Sequence, residues 1–175
     1  TGGAGFIGHH LAKKLINKSI KVNILDNLST GKLKNIQKNT KFIKGDVKKY
    51  NDVVKASKEC DAIFHLAAST QLQKSIVDPS ETIQNNVIGT VNIIKICLKK
   101  KINLIFASSC SIYDLNAKVK LKENENVNPE NPYALSKFIG EKLIKFYGKN
   151  QNLKFNILRF FNVFGPNQNE NGTYA

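Results

Sequence analysis

Apolar and polar positions along the chain follow two rhythms: a helical one of about 3.6 residues and short continuous apolar runs. Phe6, Ile7, His10, Leu11 and Leu15 recur at helical spacing directly after a cluster of glycines. Residues 20–25 (IKVNIL) then read as a strand, as do 40–44 (TKFIK), and 50–57 as a short helix. The run 62–66 (AIFHL) predicts a buried strand. From 81 to 101 apolar residues stand at Ile83, Val87, Val91, Ile94 and Leu98, which predicts one long amphipathic helix with that stripe against a sheet. Residues 102–107 (INLIFA) form the next strand. The polar stretch 118–132 holds two of the four prolines and reads as a surface loop. A helix over 132–149 and a strand over 155–161 (FNILRFF) complete the pattern.

Strands that alternate with helices imply parallel βαβ units. The strand runs lack clean polar alternation, as expected when helices cover both faces of a sheet. With no internal repeat and no linker-like stretch, residues 1–175 read as one α/β domain built on a doubly wound parallel sheet.

The glycines add chemistry to that outline. Thr1-Gly2-Gly3-Ala4-Gly5-Phe6-Ile7-Gly8 satisfies GxxGxxG through Gly2, Gly5 and Gly8, and GxGxxG through Gly3, Gly5 and Gly8. Such a loop makes a tight turn, lets backbone approach a pyrophosphate, and seats a helix closely on the sheet. The helix then turns its N-terminal N–H groups and positive dipole end to the phosphates. Asp26 follows Gly8 by 18 residues, at the end of the next strand. A carboxylate there accepts hydrogen bonds from the adenosine ribose and repels a 2′-phosphate, which favours NAD over NADP.

Tyr133 and Lys137 stand at i and i+4 at the start of a predicted helix, one above the other on one face. A phenol with pKa of about 10 is a poor base at neutral pH. A nearby ammonium favours the phenolate and makes the tyrosine usable as a base. Ser109 ends the preceding strand, where α/β sheets place their ligands, and its hydroxyl is placed to bond the same substrate oxygen.

Composition narrows the alternatives. Hydrophobic residues make up 41% and charged ones 23%, as in a folded domain. No run of about 18 apolar residues is present, which argues against a membrane span. The three cysteines, Cys60, Cys97 and Cys110, are odd in number and lack CxxC spacing, so neither a disulfide framework nor a zinc site is expected, and a reducing, cytoplasmic setting fits best. The net charge of +14 suggests a nucleic-acid partner, yet Arg159 is the only arginine, so 26 of the 27 basic residues are lysine (27 − 1). Arginine is the side chain suited to bidentate phosphate and guanine recognition, so a lysine-rich solvated surface is the expected reading, with no nucleic-acid partner. The chain opens on Thr1, at the glycine loop itself, and contains no methionine, which suggests a piece of a longer protein that lacks the strand expected ahead of that loop.

The motifs together resemble the extended short-chain dehydrogenase/reductase superfamily, and within it the nucleotide-sugar epimerases, nearest the UDP-glucose 4-epimerases. TGGAGFIG (1–8), DNLSTG (26–31), GDV (45–47), HLAAS (65–69), NNVIGT (85–90), SSCSIY (108–113), YALSK (133–137) and RFFNVFGP (159–166) stand in that family's order. The resemblance implies a Rossmann-type fold, NAD as a tightly held cofactor, a UDP-sugar substrate, a C-terminal substrate domain missing after Ala175 and a homodimer of the full-length protein. It implies Phe6 and Ile7 at the pyrophosphate, Asp26 and Asn27 at the adenosine ribose, and Asp46 and Val47 beside the adenine. Leu66, Ala67 and Ala68 would line the cleft with Asn85 nearby, and Phe161 would approach the nicotinamide. Tyr133 would be the catalytic base and acid, Lys137 its partner and a ribose ligand, Ser109 the catalytic hydroxyl, and Asn162 a contact to the sugar diphosphate. His65 is expected to be structural, and His9 and His10 ordinary helix residues. Three departures stand out: Asp114 in place of a glycine, Thr70 where many UDP-glucose 4-epimerases carry lysine, and residues 160–175, which resemble the branch acting on UDP-N-acetylhexosamines. A nucleotide-sugar 4,6-dehydratase and a non-catalytic dinucleotide-binding protein remain the alternatives. The dehydratase branch carries Thr-Asp-Glu where this chain has Ser109-Cys110-Ser111.

Overall fold

Each apolar run becomes a parallel strand in the computed structural model, which describes residues 1–114 and 120–168. The strands are β1 (Val22–Asp26), β2 (Thr40–Lys44), β3 (Ala62–His65), β4 (Asn103–Ser109) and β5 (Phe155–Phe160). The helices are α1 (Phe6–Ile16), α2 (Tyr50–Ala56), α3 (Leu72–Val77), α4 (Pro79–Ile83), α5 (Gly89–Lys100) and α6 (Pro132–Gln151). β1 pairs with β2, Val22 opposite Thr40 and Asp26 opposite Lys44. β3, β4 and β5 form a second parallel sheet in that order, with Ser109 opposite Phe160.

β1 and β3 face each other across a cavity of about 650 Å³ walled by Leu11, Val22, Ile24, Val53, Ile63 and Ile93. Thr1 and Gly2 cross that gap. The Thr1 nitrogen donates to the Phe64 carbonyl (2.8 Å), Leu66 N–H to the Thr1 carbonyl (3.3 Å), and Gly2 N–H to the Leu25 carbonyl (2.9 Å). The two sets of strands are thus linked through the first two residues.

The core gathers Leu25, Val53, Ile93, Leu104, Phe106 and Ile144, contributed by strands and by helices α2, α5 and α6. Gly140 lets α6 lie closely on β4: a Cβ there would sit 2.8 Å from the Phe106 ring. The Asn131 side chain caps α6 by accepting from Ala134 N–H (2.8 Å), and Pro132 supplies a preset first-turn dihedral.

The predicted 81–101 helix needs correction. It is three pieces: α4, a π turn (Gln84–Ile88) and α5. Its buried face coincides with the predicted stripe only at Ile94. Thr82, Asn86 and Thr90 are buried with Ile93, Ile94, Ile96 and Cys97, whereas Val87, Val91 and Leu98 are half-buried. Val91, Ile94 and Leu98 line a shallow groove with Tyr50 and Tyr147. A polar stripe takes the interior because tertiary partners satisfy its hydrogen bonds. The last strand ends at Phe160, leaving Phe161 in the segment that follows. Among the described residues no helix is long and apolar enough to cross a membrane.

Candidate cofactor and catalytic site

At the glycine loop, Gly2 has φ +71°, and a Cβ there would lie 2.7 Å from the Ala67 nitrogen. The loop can pass so close to the end of β3 only as glycine. A Cβ on Gly8 would overlap the Gly2 carbonyl oxygen, so the first turn of α1 also closes on bare backbone. Gly5 caps α1 without a side-chain hydrogen bond, and the first turn holds no acidic residue. The N–H groups of Phe6, Ile7 and Gly8 have no acceptor within the helix and stand at its positive dipole end.

Asp26 ends β1 and is buried. One carboxylate oxygen accepts from Ala4 N–H (2.9 Å) in the loop, the other from Leu28 N–H (2.8 Å) in its own turn. Asn27 is exposed and its amide donates to Asp46 (3.3 Å). Asp46 also accepts from Lys48 N–H (2.8 Å), and the carbonyl of buried Val47 accepts from Asn92 (2.9 Å). Leu66 and Ala67 are tied to Thr1 through their N–H groups, and Ala68 follows half-buried. The proposed cofactor residues thus meet along the C-terminal ends of β1, β2 and β3, the ligand edge of an open parallel sheet.

The second part of the site lies at the end of β4. The Ser109 hydroxyl oxygen accepts from Ser111 N–H (3.2 Å) and lies 2.9 Å from the Ser111 hydroxyl. Tyr133 is half-buried in the first turn of α6. Lys137, one turn on, is buried; its ammonium donates to the Ala107 carbonyl (2.8 Å) and sits 5.2 Å over the Phe106 ring. Burial lowers its pKa to about 8. An ammonium carries three donors, so two remain for other partners. Phe161 and Asn162 are exposed just beyond β5, and this segment turns back over α1: His10 bonds the Pro166 carbonyl at 2.8 Å. Residues 169–175, the end of the 160–175 resemblance, lie outside the described residues.

Two polar groupings escape a reading of spacing alone. In the first, His65 bonds the Thr1 hydroxyl (2.8 Å) and the Thr90 hydroxyl (3.1 Å), and burial, reinforced by the Lys137 charge, holds its pKa well below 6.5. Thr90 in turn donates to the Asn86 carbonyl. The Asn86 amide donates to Ser136 (2.9 Å) and the Ser69 carbonyl (3.0 Å), while its oxygen accepts from Ser69 N–H (2.8 Å). Asn85, the expected cleft residue, is half-buried in the same π turn. The Thr82–Asn86–Thr90 spacing was the available signal. The second grouping is Glu141 with Arg159 and Ser108. His9 bonds the Gly5 carbonyl (2.9 Å), and among the described residues no three His, Cys, Asp or Glu side chains form a metal-binding group. The three cysteines are unpaired with one another.

The profile of one protein family matches residues 1–175 from end to end: the NAD dependent epimerase/dehydratase family. The chain belongs to this family. Relatives agree. A UDP-glucose 4-epimerase of Lactobacillus helveticus is 33% identical over 167 residues, covering 94% of this chain and 51% of its own. The Thermus thermophilus UDP-glucose 4-epimerase, solved in complex with NAD, superposes with a TM-score of 0.93 at 32% identity, over 99% of this chain and 57% of that one. A UDP-N-acetylglucosamine 4-epimerase from Methanobrevibacter ruminantium M1, solved with UDP-N-acetylmuramic acid, is 40% identical with a TM-score of 0.92, over 99% and 57%. The chain spans between 51% and 57% of the length of these relatives. The Rossmann-type fold expected from the motifs is the fold of these family members.

Proposed function

We propose that residues 1–175 are the cofactor-binding and catalytic part of an NAD-dependent nucleotide-sugar 4-epimerase acting on a UDP-hexose or its N-acetyl analogue. The observation that carries this reading is a buried ammonium, Lys137, one helical turn from Tyr133 and hydrogen-bonded to the strand that ends in Ser109. The glycine cradle and the open α1 N-terminus fit a pyrophosphate, and the family is NAD dependent.

Phe6, Ile7 and Gly8 would offer backbone N–H groups to the diphosphate, with Gly2 and Gly5 leaving it room. Asp26 and Asn27 would hold the adenosine ribose; Asp46 and Val47 would flank the adenine. Leu66, Ala67, Ala68 and Asn85 would line the cleft, Phe161 the nicotinamide end, and Asn162 the sugar diphosphate. Bound NAD would supply a hydride acceptor and donor for C4 of the sugar. Tyr133, as phenolate, takes the C4 hydroxyl proton and later returns it, while the sugar passes through a 4-keto form. Ser109 donates a hydrogen bond to the same oxygen. Lys137, still protonated at neutral pH, favours the phenolate through its charge and reaches a ribose hydroxyl with a spare donor.

Elimination of water, as in a 4,6-dehydratase, needs an added acid and base. Ser109-Cys110-Ser111 offers no carboxylate, and burial raises the Cys110 thiol above its ordinary value, so it is a poor base. The same proposal includes a further strand between β1 and β3, a C-terminal substrate domain, a homodimer and a cytoplasmic setting. The apolar cavity supports the strand, and exposed Ile88, Leu135 and Phe146 support the dimer. In the full-length protein, Tyr133→Phe is expected to retain NAD and lose at least about 100-fold in turnover of UDP-glucose or UDP-N-acetylglucosamine. Near wild-type turnover would overturn the assignment.

A further inference from the structure

Glu141 is fully buried, and its carboxylate is the meeting point of three elements. Arg159 of β5 grips it with a two-pronged fork, Nε to one oxygen at 2.9 Å and Nη2 to the other at 2.8 Å. The Ser108 hydroxyl of β4 donates to it at 2.7 Å. Lys145 lies 3.5 Å from it at the protein surface. The other terminal nitrogen of Arg159 donates to the Tyr113 hydroxyl (2.8 Å) and the Glu123 carbonyl (2.9 Å), and the guanidinium stacks 4.8 Å over the Tyr113 ring. The turn after β4 is thereby joined to the same point. Burial alone would raise the Glu141 pKa, but the Arg159 and Ser108 hydrogen bonds outweigh it and hold the carboxyl below its usual value.

A buried ion pair is weak evidence for stability, because desolvation cancels much of the attraction and an apolar pair of equal volume often serves as well. Its directionality is what an apolar pair cannot supply. Tyr133, Lys137 and Glu141 stand at i, i+4 and i+8 on one face of α6. Along β4, the Ala107 carbonyl accepts from Lys137, the Ser108 hydroxyl donates to Glu141, and Ser109 is the next residue. The apolar contact of Gly140 on Phe106 sets how close the helix lies, not how far it has slid along the strand. The chain is otherwise wholly lysine-based in its cations, and its single arginine stands where a planar five-donor group is required.

We propose that the Glu141–Arg159 pair is a positioning device for the reacting groups: it fixes the height of α6 along β4 and β5, so that Tyr133 and Lys137 stay level with Ser109. This rests on the reading that those three residues carry the chemistry. A displacement of about 1 Å can cost about 100-fold in rate, and a slip of one residue along a helix is about 1.5 Å.

The test uses the full-length protein and three variants: Arg159→Lys, which keeps the charge and loses the fork; the double replacement Glu141→Leu with Arg159→Met, which leaves no lone buried charge; and Tyr133→Phe. NAD content, thermal melting, kcat, KM and the pH dependence of kcat are measured for each. The double variant is expected to fold and hold NAD, to keep KM within about threefold, and to lose about 100-fold in kcat. Its basic-group limb is expected to move to higher pH as Lys137 drifts from Tyr133. Arg159→Lys is expected to fall between it and wild type. If the double variant fails to fold, Arg159→Lys alone decides, by the same split between kcat and KM. Folded variants with wild-type kcat and pH profile overturn the proposal while an inactive Tyr133→Phe leaves the catalytic reading standing. An active Tyr133→Phe overturns both.

Discussion

Lys137 sits under opposing demands. Its ammonium is wanted beside a tyrosine that must ionise, yet burial lowers its pKa from 10.5 to about 8. Between those values the unfolded chain binds the proton and the folded one does not. Stability therefore rises with pH across that window, and the burden on folding is greatest at pH 8 and below. Lys137→Met is expected to melt higher than wild type at about pH 7, with the difference shrinking as pH rises toward about 10, and to lose turnover. Thermal denaturation at both pH values, beside an activity assay, checks this; a wild type that melts higher at neutral pH contradicts it. Tyr133, Lys137 and Asp26 were legible because each stands at a characteristic spacing: Lys137 one helical turn from Tyr133, and Asp26 at the strand end that follows the glycine loop. Arg159 and Glu141 were not, since no characteristic spacing marks the pair and the two meet only after β5 is laid beside β4.

At the scale of elements, the π turn at Gln84–Ile88 does what a regular helix would not: it adds a residue and aims Asn86 inward, where three hydrogen bonds hold Ser69 and Ser136. π turns often mark functional positions. This one ties the loop after β3, which carries the cleft residues Ala67 and Ala68, to the first turn of α6. Asn86→Ala is expected to cost about 2 kcal/mol in stability by stranding the Ser69 amide. It is also expected to weaken NAD binding in the full-length protein, because the cleft loop loses its anchor. Chemical denaturation and a cofactor titration test the pair; unchanged NAD affinity would show that the loop is held by other contacts. Hydrophobic periodicity predicted this stretch as one helix with an apolar stripe. It misread the buried face because periodicity weighs apolar residues and passes over a polar stripe whose partners lie elsewhere in the chain.

For the whole molecule, the gap between β1 and β3 is the dominant feature. Filling it with three large apolar side chains would stabilise by about 6 kcal/mol, at about 2 kcal/mol each. At about 2–4 °C per kcal/mol for a chain of this size, a protein carrying an apolar strand ahead of Thr1 is expected to melt at least about 10 °C above residues 1–175 alone. Calorimetry on the two chains measures it, and equal melting points would show that the gap is not a strand site. Sequence alone was enough for the alternation of strands and helices, the glycine cradle with its acidic partner, and the tyrosine–lysine pair, because each shows as a period or a fixed spacing along the chain. Tertiary contacts settled the rest: which face of the long helix is buried, and that one glutamate joins β4, β5 and α6. Those depend on contacts between residues far apart in the chain, where a buried polar side chain is tolerated only once its distant partner is in place.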